Sequence, residues 1–185
     1  MLPAKSPSRD APMWIDILWR QYSAALDMLE AAIQACPDPL WSDAEKPRWS
    51  DSGVVGFWYL AFHTLFFLDL YLSGLLKGFA PPKPFSLGEI DPAGLLPDRA
   101  YTKAELLAYL AHGREKCRAT LAALTEEKAA QTCDFPWLRL GFGELLVDNL
   151  RHVQHHTAQL NLLLRQSTHA APRWVTTSDR PLQRS

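Results

Sequence analysis

Cysteine is scarce in this chain. Cys36, Cys117 and Cys133 are its whole complement; three thiols cannot all pair, and no two sit at C-x-x-C spacing. A disulfide scaffold and a cysteine-rich zinc module are thereby excluded, and a reducing compartment fits. Neither sign of charge is in excess. Nineteen Lys+Arg against twenty Asp+Glu leave a net charge of −1, whereas an electrostatically driven nucleic-acid binder carries a basic excess. The opening stretch MLPAKSPSRDAPMW has no apolar run of secretory length, so no signal peptide is expected. Neither G-x-S-x-G nor H-E-x-x-H occurs, no strand alternation survives beyond four or five residues, and no internal repeat is visible. The expectation is a cytoplasmic protein with neither nucleic acid nor membrane as partner.

What is present is a globular composition: 48% apolar and 21% charged residues over 185 positions, enough for one domain with a proper core. One segment, Gly53 to Leu76, is long enough to span a bilayer. It carries His63 and Asp69, however, and a mid-membrane Asp costs about 2.5–3.5 kcal/mol. The other helical patterns are amphipathic and require a partner. An apolar central helix in a bundle satisfies both facts.

Four helices are predicted. The first runs from about Pro12 to Ala35, capped by Asp10 or Ala11, with Ile15, Leu18, Tyr22, Leu26, Leu29 and Ile33 as its buried stripe. The second covers about Ser52 to Lys77, stopping at Gly78. The third opens at the capping box Thr102-Lys-Ala-Glu105 and reaches about Ala129, burying Leu106, Leu110, Cys117, Leu121 and Leu124. The fourth runs from about Gly143 to Arg165 and aligns Leu145, Asn149, His152, His156, Leu160 and Leu163. Residues 78–101 hold five prolines and no period. At about 3.3–3.6 Å per residue, that connection can recross a helix about 35–40 Å long, so helices two and three can run parallel. The expected architecture is an all-α four-helix bundle over residues 12–166, with tails at 1–11 and 167–185, the second pinned by Trp174.

The chemistry concentrates in histidine. His152 and His156 are four apart on one helix face, with Cβ atoms about 5–6 Å apart, so both imidazoles can bind one divalent ion at about 2.0–2.1 Å. They continue an apolar stripe and should face inward, where ring nitrogens without partners cost several kcal/mol between them. His155 points about 80° away from the pair and belongs to the helix flank. His63, amid Trp58-Tyr-Leu-Ala-Phe-His63-Thr-Leu-Phe-Phe67, is the third candidate. Three histidines with open positions form the pattern of a catalytic rather than a structural metal site. Gln159, one turn past His156, and Asn149, one turn before His152, are candidates to stand behind the ligands. Tyr59 and Phe66 are expected to line an adjoining pocket. Cys117 is expected in the core, and Asp148 as a solvated charge.

The segment Asn149-Leu-Arg-His152-Val-Gln-His155-His156-Thr-Ala-Gln159-Leu160, running into Leu162-Leu-Leu-Arg165, resembles the DinB/YfiT-like pattern H-x-x-H-H-x-x-Q-[LI]. An upstream histidine in an apolar second helix, often after a Trp such as Trp49, is matched by His63. The Arg-Gly that often follows the last histidine is Thr157-Ala158 here. The resemblance implies a bundle of up-down-down-up order and a divalent metal, commonly nickel or zinc, held by His63, His152 and His156. It also implies frequent homodimers and, in some relatives, transfer of low-molecular-weight thiols. Two function classes follow: a metal-dependent thiol S-transferase acting on small molecules, with hydrolysis as second choice, or a non-catalytic, metal-stabilised bundle serving as a binding or dimerisation module. A polar-lined cavity over the metal favours the first; a filled core there favours the second.

Overall fold

Leu18, Tyr22, Leu26, Leu29 and Ile33 lie buried along α1 (Asp10–Ala35), with Ile15 partly covered at its start. The computed structural model describes residues 10–41, 56–93 and 95–182, the first four of them as backbone only. The side-chain capping of α1, Trp49 and the Ser52 helix start lie outside the described residues. Past Cys36-Pro37 a single turn, α2 (Asp38–Trp41), buries Leu40 and Trp41, and the Trp41 indole donates to the Tyr101 carbonyl at 2.9 Å.

Helix α3 (Phe57–Ser73) buries twelve of its seventeen residues, on every face, as a central helix must. No helix among the described residues is long and apolar enough to cross a membrane. The helix stops at Gly74, not at Gly78 as expected. Gly74 takes φ +72° and its N–H bonds back to the Tyr71 carbonyl, a left-handed cap that costs glycine nothing. A Cβ there would also meet the Phe142 ring at 3.1 Å. Gly74→Ala is therefore expected to lower stability by about 1–2 kcal/mol; a urea midpoint equal to that of the wild type would contradict this.

Helix α4 (Lys103–Ala122) opens on the capping box between Thr102 and Glu105 and buries Leu106, Leu110, Cys117 and Leu121. It ends earlier than the expected Ala129, because the Thr125 hydroxyl accepts from Lys128 N–H and starts a new turn, α5 (Glu126–Ala130). The expected all-α class holds, with one short piece of sheet added to it. Strands β1 (Thr132–Phe135) and β2 (Leu138–Gly141) form an antiparallel hairpin that turns at Pro136-Trp137. Four residues per strand leave too little alternation to read. The hairpin leads directly into α6 (Phe142–Thr168), and the chain is mostly helical.

Helix α6 lies against α1 and α3, α4 lies against the same two, and α1 scarcely touches α3. Asp38 pairs with Lys103 at 2.7 Å, and Asp27 and Glu30 pair with Arg114 at 2.8 and 2.9 Å. Between α3 and α4, Tyr109 donates to Asp69 at 3.0 Å and Lys116 reaches both Asp69 and Ser73. Gly113 sits where α4 meets α3, and a Cβ on it would come within 2.9 Å of the Leu68 side chain. Overpacking of that kind costs about 1–3 kcal/mol, against about 1 kcal/mol of helix propensity gained. Gly113→Ala should thus be destabilising by about 1 kcal/mol, read from chemical denaturation; a stabilised variant would contradict the close approach.

The C-terminal segment is no free tail. After α6 caps at His169, residues up to 182 run over α1: Trp19 donates to the Arg180 carbonyl at 2.8 Å, Arg180 pairs with Asp27 at 3.2 Å, Ser178 is buried and Leu182 packs on the core. The expected pin, Trp174, is 65% exposed. Arg180, through its carbonyl and its guanidinium, holds this segment where the Trp174 indole was expected to.

Candidate metal centre

The residues of α3 at spacing four, Tyr59, His63, Phe67 and Tyr71, share one face, which meets the stretch of α6 carrying His152 and His156. One ring nitrogen from each of His63, His152 and His156 lies within 4.8 Å of the other two. The ring centroids stand 4.4–5.2 Å apart, and each residue is partly buried. The predicted trio therefore meets.

Hydrogen bonds aim the rings. A carboxylate only accepts, so His63 donates through Nδ1 to Glu89 Oε1, which leaves Nε2 turned toward His152. His156 Nδ1 bonds to Gln159 Oε1 at 2.6 Å, while the Gln159 amide reaches His155 Nε2 at 3.1 Å; Nε2 of His156 is thereby left as an acceptor. His152 Nε2 faces His63 Nε2 at 3.3 Å, and its Nδ1 is buried without a hydrogen-bond partner among the described residues. Whichever nitrogen of His152 carries the proton, one polar atom is poorly served. Burial, with the neighbouring histidines, pushes the His152 pKa down to about 2; burial and His63 push that of His156 down to about 4. Neutral imidazoles converging through lone pairs are what a divalent ion requires. Two nitrogens at about 2.0–2.1 Å from a tetrahedral ion stand about 3.3–3.4 Å apart, which is the separation of His63 Nε2 from His152 Nε2; with a His156 nitrogen within 4.8 Å of the other two ligand atoms, the donor set fits such a group.

These shifts have a sign. The unfolded histidines titrate near 6.5 and the folded pair lower, so below that pH the unfolded chain binds more protons and stability falls with pH. Metal-free protein should show a lower urea midpoint at about pH 5 than at about pH 7, and the drop should be smaller in His156→Ala. Equal slopes in the two proteins would contradict the buried, neutral state of His156.

Of the other predicted residues, Gln159 stands behind His156 as expected. Asn149 instead tethers the helices: it is fully buried, and its amide donates to the Leu68 carbonyl at 3.1 Å. Tyr59 is half-buried, its hydroxyl against Glu89; burial first, and that carboxylate second, push the phenol pKa up. Phe66 is fully buried among Phe62, Phe67 and Phe79, so it lines no open pocket. The ring against the histidines is Phe67, 4.8 Å from His63 and 5.6 Å from His152 between centroids. Trp137, at the hairpin turn, extends this wall: it packs on Phe67 and donates to the Tyr71 hydroxyl at 3.0 Å. On the other side of His152, Asp148, Arg151, His155 and Ala158 border a shallow open groove, with Asp148 paired to Arg151 at 3.5 Å.

Glu89 was missed although its side chain is only 5% exposed. It sits on a single 3-10 turn, Leu87–Ile90, within the proline-rich connection. A signal existed: Ser86-Leu-Gly-Glu89 has the form of a capping box. Ser86 does accept from Gly88 N–H, but Glu89 turns to His63 instead of back to its own cap.

The sequence model of the DinB superfamily matches residues 21–160, a span that begins within α1, ends within α6 and includes all three histidines. No curated protein matches the chain. With its long helices, its histidine trio and most of its length under that one family pattern, the chain belongs to the DinB superfamily.

Proposed function

We propose that the chain is a metal-dependent enzyme acting on small molecules, of the thiol S-transferase type, with nickel or zinc held by His63, His152 and His156. The observation that carries this is the convergence of three imidazoles, two of them held neutral by burial, at a site still partly open to solvent. Each histidine is only partly buried, so the core over them is not filled, which speaks against the non-catalytic module. When bound, such an ion lowers the pKa of a thiol or water that reaches it. The chain's own residues do the rest. Glu89 and Gln159 hold the Nδ1 protons of His63 and His156. Phe67, Tyr71 and Trp137 keep water from one side and offer an apolar wall to an electrophile. Asp148 is engaged by Arg151, so no general base is assigned to it.

The proposal extends to an up-down-down-up four-helix bundle. Asp38, just past the end of α1, pairs with Lys103 at the start of α4, and Asp27 within α1 pairs with Arg114 further along α4, opposite sequence senses as antiparallel α1 and α4 would give. Asp69 with Tyr109, and Ser73 with Lys116, advance together, as parallel α3 and α4 would. A cytoplasmic setting, which supplies low-molecular-weight thiols, and a homodimer complete the proposal.

The test is conjugation of a thiol to an epoxide or halide by protein purified without a His-tag. Activity should require metal, vanish in chelator and vanish in His152→Ala with helical content retained. Metal-loaded protein that fails with a broad panel of thiols and electrophiles, yet hydrolyses esters or amides, overturns the transferase assignment.

A further inference from the structure

The connection between α3 and α4 carries more than length. Phe85 stacks on Tyr109 at 4.3 Å and packs against Tyr101 and Phe62, which fixes the chain just before the 3-10 turn. Ile90 packs on the core just after Glu89. Gly88 is needed between them, since a Cβ there would lie 3.0 Å from the Leu95 carbonyl. The turn is a built element, and the one side chain it sends against the histidines is Glu89, covered to 95% and bonded to His63 Nδ1.

Resting on the metal-binding reading above, we infer that Glu89 is the positioning residue of the site: by holding His63 as the Nδ1–H tautomer with Nε2 turned toward His152, it makes the segment Leu87–Ala93 part of the metal centre, so that ion binding and docking of this segment are one equilibrium. The physical basis is linkage. A group that orients a ligand imidazole raises the affinity of the site, and the ion must then stabilise the contact that holds the group in place. A carboxylate whose other oxygen, Oε2, is buried without a hydrogen-bond partner among the described residues has little reason to stay there except for His63 and the Tyr59 hydroxyl.

The experiment measures zinc affinity by competition with a chromophoric chelator in wild type, E89Q and E89A, together with amide hydrogen exchange of residues 87–93. Expected are a loss of about 10–100-fold in E89A, a smaller loss in E89Q, whose amide oxygen still accepts the Nδ1 proton, and zinc-dependent protection of residues 87–93 in wild type but not in E89A. Wild-type affinity in E89A, equal losses in both variants, or exchange indifferent to zinc in wild type would each overturn the inference and leave the histidine site standing. Should wild type take up no ion, the metal reading falls by itself. Nitrogen NMR of the imidazoles in metal-free protein then still decides the role of Glu89: the Nδ1–H tautomer of His63 in wild type and a mixture in E89A is expected, and a mixture in both overturns it.

Discussion

Chelator-treated and zinc-loaded His156→Ala protein should melt at the same temperature, whereas the wild type should gain from the ion. A ligand that binds only the folded state stabilises it by RT ln(1 + [L]/Kd), about 4 kcal/mol at a thousandfold excess over Kd. For a domain of this size each kcal/mol moves the melting temperature by about 2–4 °C, so the expected gain is about 8–16 °C. Removing His156 takes away one of three converging donors and leaves two, too few for a tight site. The fold should survive, because His156 is only partly buried and the stripe around it (Val153, Leu160 and Leu164) carries the packing. Differential scanning calorimetry with and without zinc and nickel checks this. A wild-type curve indifferent to both ions, with no metal in the purified protein, counts against both function classes.

Asp69→Ala is expected to be strongly damaging although it lies away from the site. Asp69 is 1% exposed, accepts from Tyr109 and faces Lys116. Deleting one partner of a buried charge pair costs about 3–5 kcal/mol. Lys116 is 28% exposed and also reaches Ser73 and the Asp69 carbonyl, so it can partly rehydrate and the lower end applies, about 3 kcal/mol. Tyr109→Phe, which removes one hydrogen bond and leaves the ion pair intact, should cost about 1 kcal/mol. Because this cluster lies between α3 and α4 while the histidines lie between α3 and α6, the melting response to zinc should be retained in Asp69→Ala. A loss below about 1 kcal/mol by urea denaturation would show that the ion pair contributes little net stability.

Much of this was legible in residue order. The stripes of α1, α4 and α6 follow from three- and four-residue spacing, and the Thr102–Glu105 box from its four letters. The central helix is marked by an apolar run that no amphipathic surface helix would show. His152 and His156 share a face because four residues make just over one turn, and Gln159 follows them by the same arithmetic. These features are local: each depends on backbone geometry within about two turns of chain.

The sequence by itself thus determined the helical class, the pairing of two histidines and the candidacy of the third. Only the tertiary structure decided that His63 meets that pair, that Glu89 closes on it from a segment without periodicity, that Phe67 and not Phe66 is its aromatic neighbour, and that a short hairpin brings Trp137 to its wall. It likewise decided that the C-terminal segment is strapped to α1 through Arg180 and not through Trp174. The physical reason is the same throughout. Contacts between residues 26, 66, 89 or 161 positions apart depend on how whole helices pack against one another, and helix packing is settled by the summed burial of many side chains, which leaves no mark in the spacing of any two.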